Sequence, residues 1–294
     1  MILIDGKKVA ADIRSELKDK TSQLKAEGKN VPGLVAIIVG EDPASQIYVA
    51  SKGKACEEIG MRTKTEKLSA DISEAELLSL IQSYNQNKDY HGILVQLPLP
   101  KHINEDKVIE TISHKKDVDG FHPISVGNLV IGKDTFASCT PAGIQELLIR
   151  YKIETKGKHV VVVGRSNIVG KPIANIMLQK AEGANSIVTI VHSAAKDISY
   201  YTKQADILIA AIGKAEMIKA DMVKDGVAVI DVGINRIDDP TKAKGYRIVG
   251  DVDFENVSKK TSFITPVPGG VGPMTIAMLL SNTLLAREIR SRNK

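Results

Sequence analysis

Four short apolar runs in the second half of the chain constrain the fold more than any other feature. They are HVVVVG, SIVTIVHS, ADILIAAIG and VAVIDVG, and helix-length polar segments separate them. A fifth possible strand follows in TSFITPVP. Short apolar runs that alternate with helical segments are typical of a parallel sheet covered by helices on both faces. The second half therefore predicts a doubly wound parallel sheet, whose ligand binds beyond the carboxyl ends of the strands.

The first part of the chain also alternates between helical and strand patterns. GKKVAADIRSELKDKTSQLKAEG places Val9, Ile13 and Leu17 on one face, so it predicts an amphipathic helix. LVAIIVG and GILVQLPLP have the unbroken apolar character of buried strands. The helix between them opens with Ser73 and Glu76 at the spacing of a capping box. This part of the chain is therefore predicted to be α/β as well.

The length of the chain bears on the number of domains. At 294 residues it is long for a single core, so we expect two domains with a cleft between them. Between the halves, Thr140 can cap and Pro141 can begin a joining helix. The predicted domains are an α/β substrate domain of residues 1–139, completed by a C-terminal helix over 275–294, and a Rossmann-like domain of residues 140–274.

Composition and charge argue against several classes of protein. No apolar run reaches the roughly 20 residues of a membrane-spanning helix, and the first residues lack a signal-peptide core, so we expect a cytoplasmic protein without a membrane partner. The net charge of +5 is spread along the chain and aromatic residues make up 4%, which argues against nucleic acid as a partner. Cys56 and Cys139 lie far apart without a CxxC motif, so we expect neither a disulfide framework nor a zinc site.

The stretch VVVVGRSNIVGKP has the features of an anion-binding turn. Gly164 ends a strand and permits a tight turn, and the following amides and helix amino terminus can face a phosphate. The middle glycine of GxGxxG is absent, so the spacing alone leaves open both a dinucleotide site and a plain strand-to-helix turn. The next strand ends in His192 and Ser193 without a carboxylate, and Arg165 follows the turn glycine. A cation and a hydroxyl favour the 2′-phosphate of NADP over NAD.

The stretch SQIYVASKGK places Tyr48 and Lys52 four residues apart, so on a helix both side chains leave from the same face. A solvated helix surface is the alternative interpretation, and it is the one we adopt for Lys54. The YxxxK pair of short-chain dehydrogenases has the same spacing. In those enzymes, however, the glycine-rich loop precedes the pair, whereas here Gly164 follows Lys52.

Two further segments are candidates for ligand contacts. DVDG places Asp117 and Asp119 on one face if the segment is extended. Two close carboxylates also suit a metal, but no histidine lies at ligand spacing, so we expect no metal. TPVPGGVGP, residues 265–273, holds three glycines and three prolines, so neither a helix nor a regular strand should persist through it. It is predicted to form the wall of a pocket, with a plain connecting loop as the alternative.

Several strings occur together in a fixed order from near the first residue to the last helix. They are SQIYVASKGKACEEIG, GILVQLPLP, KDVDGFH, CTPAG, GRSNIVGKP, VIDVGIN, VGDVDF and TPVPGGVGPMT. Together they resemble the bifunctional methylenetetrahydrofolate dehydrogenase/cyclohydrolase family of one-carbon metabolism. The resemblance implies a folate substrate, oxidation of 5,10-methylenetetrahydrofolate by NADP, hydrolysis of the methenyl product to 10-formyltetrahydrofolate, and a homodimer. A family member that kept only the dehydrogenase step, or a non-catalytic NADP-binding sensor, remains an alternative.

The resemblance also implies roles for single residues. Lys52 is the implied catalytic group and Gln96 its contact, while Tyr48 packs along the folate and Asp119 holds the pterin. A lysine beside a cationic intermediate in a dry cleft can release its proton, so Lys52 could then activate water. The implied coenzyme contacts are Gly164, Arg165, Ser166, Ser193 and Ile234. The implied wall of the folate pocket is Pro268, Gly269, Gly270 and Val271.

Overall fold

The computed structural model describes residues 1–242 and 245–292, which form two compact units. One unit consists of Met1–Ala10 and Thr140–Thr275, and we call it the six-stranded unit after its sheet. The other consists of Ala11–Cys139 and the chain from Ile276 onward, and we call it the three-stranded unit. Each unit combines helices with a parallel sheet, which confirms the two-domain α/β prediction.

The elements are numbered in chain order. The helices are α1 (Gly6–Ala26), α2 (Pro43–Glu58), α3 (Glu74–Gln86), α4 (Glu105–Thr111), α5 (Pro123–Val130), α6 (Cys139–Arg150), α7 (Gly170–Leu178), α8 (Ile198–Thr202), α9 (Phe254–Val257) and α10 (Val271–Arg292). The strands are β1 (Ile2–Leu3), β2 (Gly33–Val39), β3 (Arg62–Leu68), β4 (Gly92–Val95), β5 (His159–Val163), β6 (Ile187–Val191), β7 (Ile207–Ala210), β8 (Ala228–Asp231), β9 (Asn235–Asp238), β10 (Tyr246–Val249) and β11 (Phe263–Ile264). Among the described residues, none of these helices is long and apolar enough to cross a membrane.

The sheet of the six-stranded unit has the order β1-β11-β8-β7-β5-β6, and all neighbouring strands are parallel. Apart from β1, this is the 2-1-3-4-5 order of a doubly wound sheet, with its switch point between β5 and β7. The strands at the switch point are almost completely buried, because helices cover both faces of such a sheet. The prediction of a doubly wound parallel sheet is confirmed, and the loops after β5 and β7 flank the expected ligand position.

The start of the chain differs from the predicted domain boundary. β1 pairs in parallel with β11, with Ile2 opposite Phe263 and Leu3 opposite Ile264. Met1–Ala10 therefore belongs to the six-stranded unit, whereas the sequence prediction placed it with the rest of residues 1–139. A strand of two residues is too short to show a periodic pattern, so its pairing could not be predicted from the sequence.

The three-stranded unit is built on the parallel order β3-β2-β4. β2 and β4 are buried along their whole length, and Leu77 and Ile81 of α3 pack into the same core. The predicted capping box starts α3, because Ser73 Oγ accepts a hydrogen bond from the Glu76 amide and the Glu76 carboxylate accepts one from the Ser73 amide. The polar strand β3 was not predicted.

Two helix boundaries differ from the sequence prediction. α6 begins at Cys139, so Thr140 is already helical and does not cap the helix. The Thr140 hydroxyl instead shares a 2.8 Å hydrogen bond with that of Thr275. α10 begins at Val271, four residues before the predicted start at 275, so the last part of the 265–273 segment is helical. Pro273 is tolerated there because the first turn of a helix needs no hydrogen bond from its amides.

Candidate active site

Helix α2 and strand β4 bring Lys52 and Gln96 together. Pro43 opens α2, and the helix then runs without interruption past Tyr48 and Lys52. Lys52 Nζ donates a 3.0 Å hydrogen bond to Gln96 Oε1. Gln96 Nε2 donates to the Leu97 carbonyl at 2.8 Å, which leaves the amide oxygen for the lysine. The predicted contact between the two side chains is therefore present.

Asp119 lies within electrostatic reach of Lys52. Burial raises the pKa of Asp119, and the positive charge of Lys52 and a hydrogen bond from Cys139 act in the opposite direction. Cys139 Sγ lies 3.9 Å from Asp119 Oδ1. Asn282 of α10 holds this segment, because its Nδ2 donates to the Val118 carbonyl at 2.8 Å. The structure thus places three of the four predicted catalytic residues near one another, namely Lys52, Gln96 and Asp119.

Tyr48 is the fourth predicted catalytic residue. It lies one turn before Lys52 on α2, and its side chain is half exposed. Asn282 and Cys139 were not predicted to support this site. Asn282 lies far along the chain in a helix whose pattern indicates only packing, so no local signal linked it to Asp119.

Asp117 has partners different from those of Asp119. Its carboxylate accepts hydrogen bonds from the amides of Phe121 at 3.2 Å and His122 at 2.9 Å, which orders the turn before α5. Burial raises the pKa of Asp117 to about 6. Of the DVDG pair, Asp119 is thus the carboxylate near Lys52. In the part of the chain that the structure describes, no three His, Cys, Asp or Glu side chains are grouped to hold a metal ion.

The loop after β5 in the six-stranded unit has the tight geometry of an anion-binding turn. Gly164 has a φ of +129°, and a Cβ on it would lie 2.1 Å from the Ala211 carbonyl oxygen, so only glycine fits. Ser166 Oγ accepts hydrogen bonds from the amides of Val169 at 3.2 Å and Gly170 at 3.3 Å. These two hydrogen bonds hold the loop directly before α7, which begins at Gly170. The strand–turn–helix arrangement expected from the sequence is present.

Arg165 lies beside the end of the neighbouring strand β6. Its Nη1 is 3.4 Å from His192 Nε2, and Ser193 follows directly. Both Arg165 and Ser193 are exposed. An exposed guanidinium and a hydroxyl at the end of β6 suit a phosphate group better than a ribose hydroxyl.

The remaining predicted contacts surround one cavity of about 170 Å³ in the six-stranded unit. Ile234 lines it together with Pro268, Gly269, Gly270 and Val271. Lys7 also lines it and was not predicted. The Lys7 amide donates to the Gly269 carbonyl at 3.1 Å, so the start of α1 packs against this loop. That contact is tertiary, and no local pattern indicated it.

Two buried carboxylates tie together the loops at this end of the sheet. Asp251 is fully buried and accepts hydrogen bonds from the amides of Ile212, Gly213 and Lys214 at 2.6, 2.9 and 2.9 Å. It also accepts one from Asn235 Nδ2 at 2.9 Å. The Asp231 carboxylate accepts bonds from the amides of residues 233, 251 and 252. Burial raises the pKa of Asp231 to about 7.

Family comparison assigns both halves of the chain. Residues 4–119 match the tetrahydrofolate dehydrogenase/cyclohydrolase catalytic domain, and residues 138–291 match the NAD(P)-binding domain of the same family. The chain belongs to this family. The resemblance drawn from the sequence strings is therefore confirmed.

Individual members of the tetrahydrofolate dehydrogenase/cyclohydrolase family match along almost the full chain. The bifunctional protein FolD of Chloroherpeton thalassium is 61% identical and aligns over 98% of this chain and 99% of its own. The crystal structure of the bifunctional enzyme FolD from Campylobacter jejuni has 52% identity and a TM-score of 0.93, with 99% of both chains covered. The FolD structure from Trypanosoma brucei, in complex with NADP cofactor and an inhibitor, has 38% identity and a TM-score of 0.92, again with 99% of both chains covered.

Proposed function

We propose that this protein oxidises 5,10-methylenetetrahydrofolate to 5,10-methenyltetrahydrofolate with NADP and then hydrolyses the methenyl product to 10-formyltetrahydrofolate. Membership of the family over almost the full chain supports both activities. The observation that carries the proposal is the 3.0 Å hydrogen bond between Lys52 and Gln96 in the three-stranded unit. That pair has the chemical groups that activation of water requires.

The six-stranded unit has the groups needed to hold NADP. A Cβ on Gly170 would lie 2.4 Å from the Gly164 carbonyl oxygen, so two glycines allow the turn to stay close around a phosphate. We assign Arg165 and Ser193 to the 2′-phosphate, Ser166 to the turn that faces the pyrophosphate, and Ile234 to the coenzyme as well. When bound, NADP accepts a hydride from the one-carbon bridge of the folate.

Lys52 is the proposed base for hydrolysis. Its neutral amine takes a proton from water while the water oxygen bonds to the methenyl carbon. The proton of the new hydroxyl group then passes to one ring nitrogen as the bond between that nitrogen and the carbon breaks, which leaves the formyl group on the other nitrogen. Overall one water is consumed and one proton is released, because the methenyl substrate is a cation and the formyl group is neutral. Gln96 positions the amine through a neutral oxygen, which stabilises the ammonium form less than a carboxylate would.

The other predicted contacts complete the folate site in this proposal. Asp119 accepts hydrogen bonds from the nitrogen donors of the pterin, and Tyr48 packs along the folate. We assign residues 268–271 to contacts with the folate as well, because glycines let a backbone approach a ligand closely.

The test separates the two activities and the two coenzymes. Methylenetetrahydrofolate is mixed with the enzyme and either NADP or NAD, and the reduced coenzyme and the methenyl species are followed separately. We expect reduction of NADP in preference to NAD, and enzymatic decay of the methenyl absorbance. Lys52→Met should slow hydrolysis about 100-fold or more, since general base catalysis contributes roughly 10²–10⁴-fold. Lys54→Met, on the same helix, is the matched control and should hydrolyse at the wild-type rate.

The outcomes distinguish this proposal from its alternatives. If the methenyl absorbance persists without enzymatic decay, the protein has only the dehydrogenase activity. If no reduced coenzyme forms, the protein is a non-catalytic NADP-binding protein. Unchanged hydrolysis in Lys52→Met would mean that another group activates the water. We also propose that the protein is a cytoplasmic homodimer, and a monomeric mass in sedimentation would contradict the dimer.

A further inference from the structure

A second polar cavity lies in the three-stranded unit and has no part in the proposed reaction. Its volume is about 330 Å³. The residues that line it are Asn85, His91, Ser113, Lys115, Lys116, Ala286, Ile289 and Arg290. None of these is acidic, whereas three are cations and one is a histidine. The cavity therefore has a positive electrostatic potential.

Arg290, in the last turns of α10, contributes a guanidinium nitrogen that has no partner among the described residues. Its Nη1 is buried and makes no hydrogen bond with any described residue. A buried guanidinium nitrogen that has lost its water and gained no acceptor costs several kcal/mol. An anion in the cavity would supply that acceptor.

His91 contributes a second donor without an acceptor. It is 6% exposed, and its Nδ1 accepts a hydrogen bond from the Gly33 amide at 3.1 Å. Burial and the positive charges of Arg290 and Lys116 lower its pKa to about 4, so the ring is neutral near pH 7. The single proton then lies on Nε2, which makes no hydrogen bond to the described part of the chain.

The other charges near the cavity do not neutralise it. Lys116 Nζ donates to the carbonyls of Tyr84 and Asn87 at 2.6 Å each, near the end of α3, and keeps its charge there. Burial lowers the pKa of Lys116 to about 8, and the positive charge of Arg290 acts in the same direction. Asp89, the acid that acts on His91, is already paired with an arginine, Arg62, at 2.9 Å.

We propose that this cavity binds a phosphate group, carried by a small phosphate monoester. The Arg290 guanidinium and the His91 Nε2–H donate to the phosphate oxygens, as charge-assisted hydrogen bonds to oxyanions commonly do. Ala286 and Ile289 form an apolar wall for the rest of the molecule. The volume lies at the lower end of the range of small-molecule sites, roughly 300–1,000 Å³, which leaves room beyond a bare phosphate.

The site is separate from the Lys52–Gln96 pair in the same unit. His91 directly precedes the four-residue strand β4, and Gln96 directly follows it. At about 3.3 Å per residue, the two lie about 16 Å apart along the strand. A phosphate bound beside His91 would therefore not compete with a folate bound beside Lys52.

Titration of the holoenzyme tests the proposal. NADP is kept saturating so that the anion-binding turn at Gly164 is occupied. Inorganic phosphate and phenyl phosphate are then added, with neutral benzyl alcohol as the control for the apolar wall, while calorimetry records the affinity and NMR records the His91 Nε2–H. We expect both phosphates to shift the His91 signal. Tighter binding of phenyl phosphate identifies a monoester as the ligand, and equal binding identifies free phosphate.

Variants on α10 give a matched comparison. Arg290→Gln should weaken phosphate binding about 10-fold or more, because a hydrogen bond between charged groups contributes about 1.5–3 kcal/mol. Arg287→Gln removes a cation one turn earlier, where Nε donates to the Asn30 carbonyl, and should change the affinity by about twofold or less. An unshifted His91 signal at saturating phosphate overturns the proposal without any variant. Equal affinities of Arg290→Gln and the wild type also overturn it.

Discussion

Replacing Asp251 with alanine should destabilise the six-stranded unit strongly. The carboxylate is fully buried and accepts four hydrogen bonds, three from the amides of residues 212–214 and one from Asn235. The substitution leaves those donors without an acceptor at the point where the loop after β7 meets the segment after β10. We therefore expect a loss of stability together with a loss of order in the loop beside the switch point.

The magnitude follows from the number of bonds. Hydrogen bonds to a charged group contribute about 1.5–3 kcal/mol each, so four would sum to about 6–12 kcal/mol. That sum is an upper bound, because bonds that share one carboxylate are not additive and water can reach some of the freed amides. Breaking a buried charged network typically costs about 3–5 kcal/mol, and we expect a loss in that range. Since domains are stable by about 5–15 kcal/mol, this is a large fraction of the total.

Urea denaturation followed by circular dichroism measures this loss, and the KM for NADP reports the order of the loop. Asp253→Ala is the matched control, because Asp253 lies two residues further on and pairs with Lys219 at 3.3 Å near the surface. The control should lose about 1 kcal/mol or less. A loss below about 1 kcal/mol for Asp251→Ala, or equal losses for the two variants, would refute the reasoning.

Three further predictions concern single side chains. Gln96→Leu removes the acceptor that positions Lys52, so hydrolysis should slow about 10- to 100-fold while the KM for NADP is unchanged, as steady-state assays would detect. Arg165→Gln should raise the KM for NADP about 10-fold or more and that for NAD by about twofold or less, and equal increases would contradict a contact with the 2′-phosphate. Burial raises the pKa of Asp231 from 3.8 to about 7 in the folded protein. Between these values the folded state holds a proton that the unfolded state releases. The resulting contribution to stability is therefore lost as the pH rises from about 4 to 7. Asp231→Asn has no carboxyl group to titrate, so its free energy of unfolding should rise relative to that of the wild type by up to about 4 kcal/mol over this window. Denaturation at several pH values measures both free energies, and a difference that stays constant with pH would refute the prediction.

The buried strands could be predicted because their composition follows directly from their environment. β5 and β7 are covered on both faces, so continuous apolar runs were sufficient evidence for them. The Ser73 capping box was predictable for a similar reason, because both of its hydrogen bonds are local. The anion-binding turn could be predicted because Gly164, a local signal, lies between a predicted strand and a predicted helix.

Other features depend on tertiary contacts that leave no local pattern. β3 has the polar sequence RTKTEKL, because it is an edge strand and its residues are not buried. Its sequence therefore lacks the apolar pattern by which β2 and β4 were predicted. Asp117 and Asp251 each share a DVD spacing with a second aspartate, yet both are buried and bonded to backbone amides while Asp119 lies near Lys52. Spacing alone does not distinguish a carboxylate that binds backbone from one that faces a ligand.

The parallel pairing of β1 with β11 has a consequence for how this polypeptide can be made and altered. Ile2 and Leu3 wait for a partner strand that is synthesised about 260 residues later, so this outer edge of the nucleotide-binding sheet closes late in synthesis. Removing β1 would expose β11 as a new edge available to other chains. A purification tag joined directly to β1 would start from that edge, so its effect is better judged by the affinity for the coenzyme than by the yield of protein.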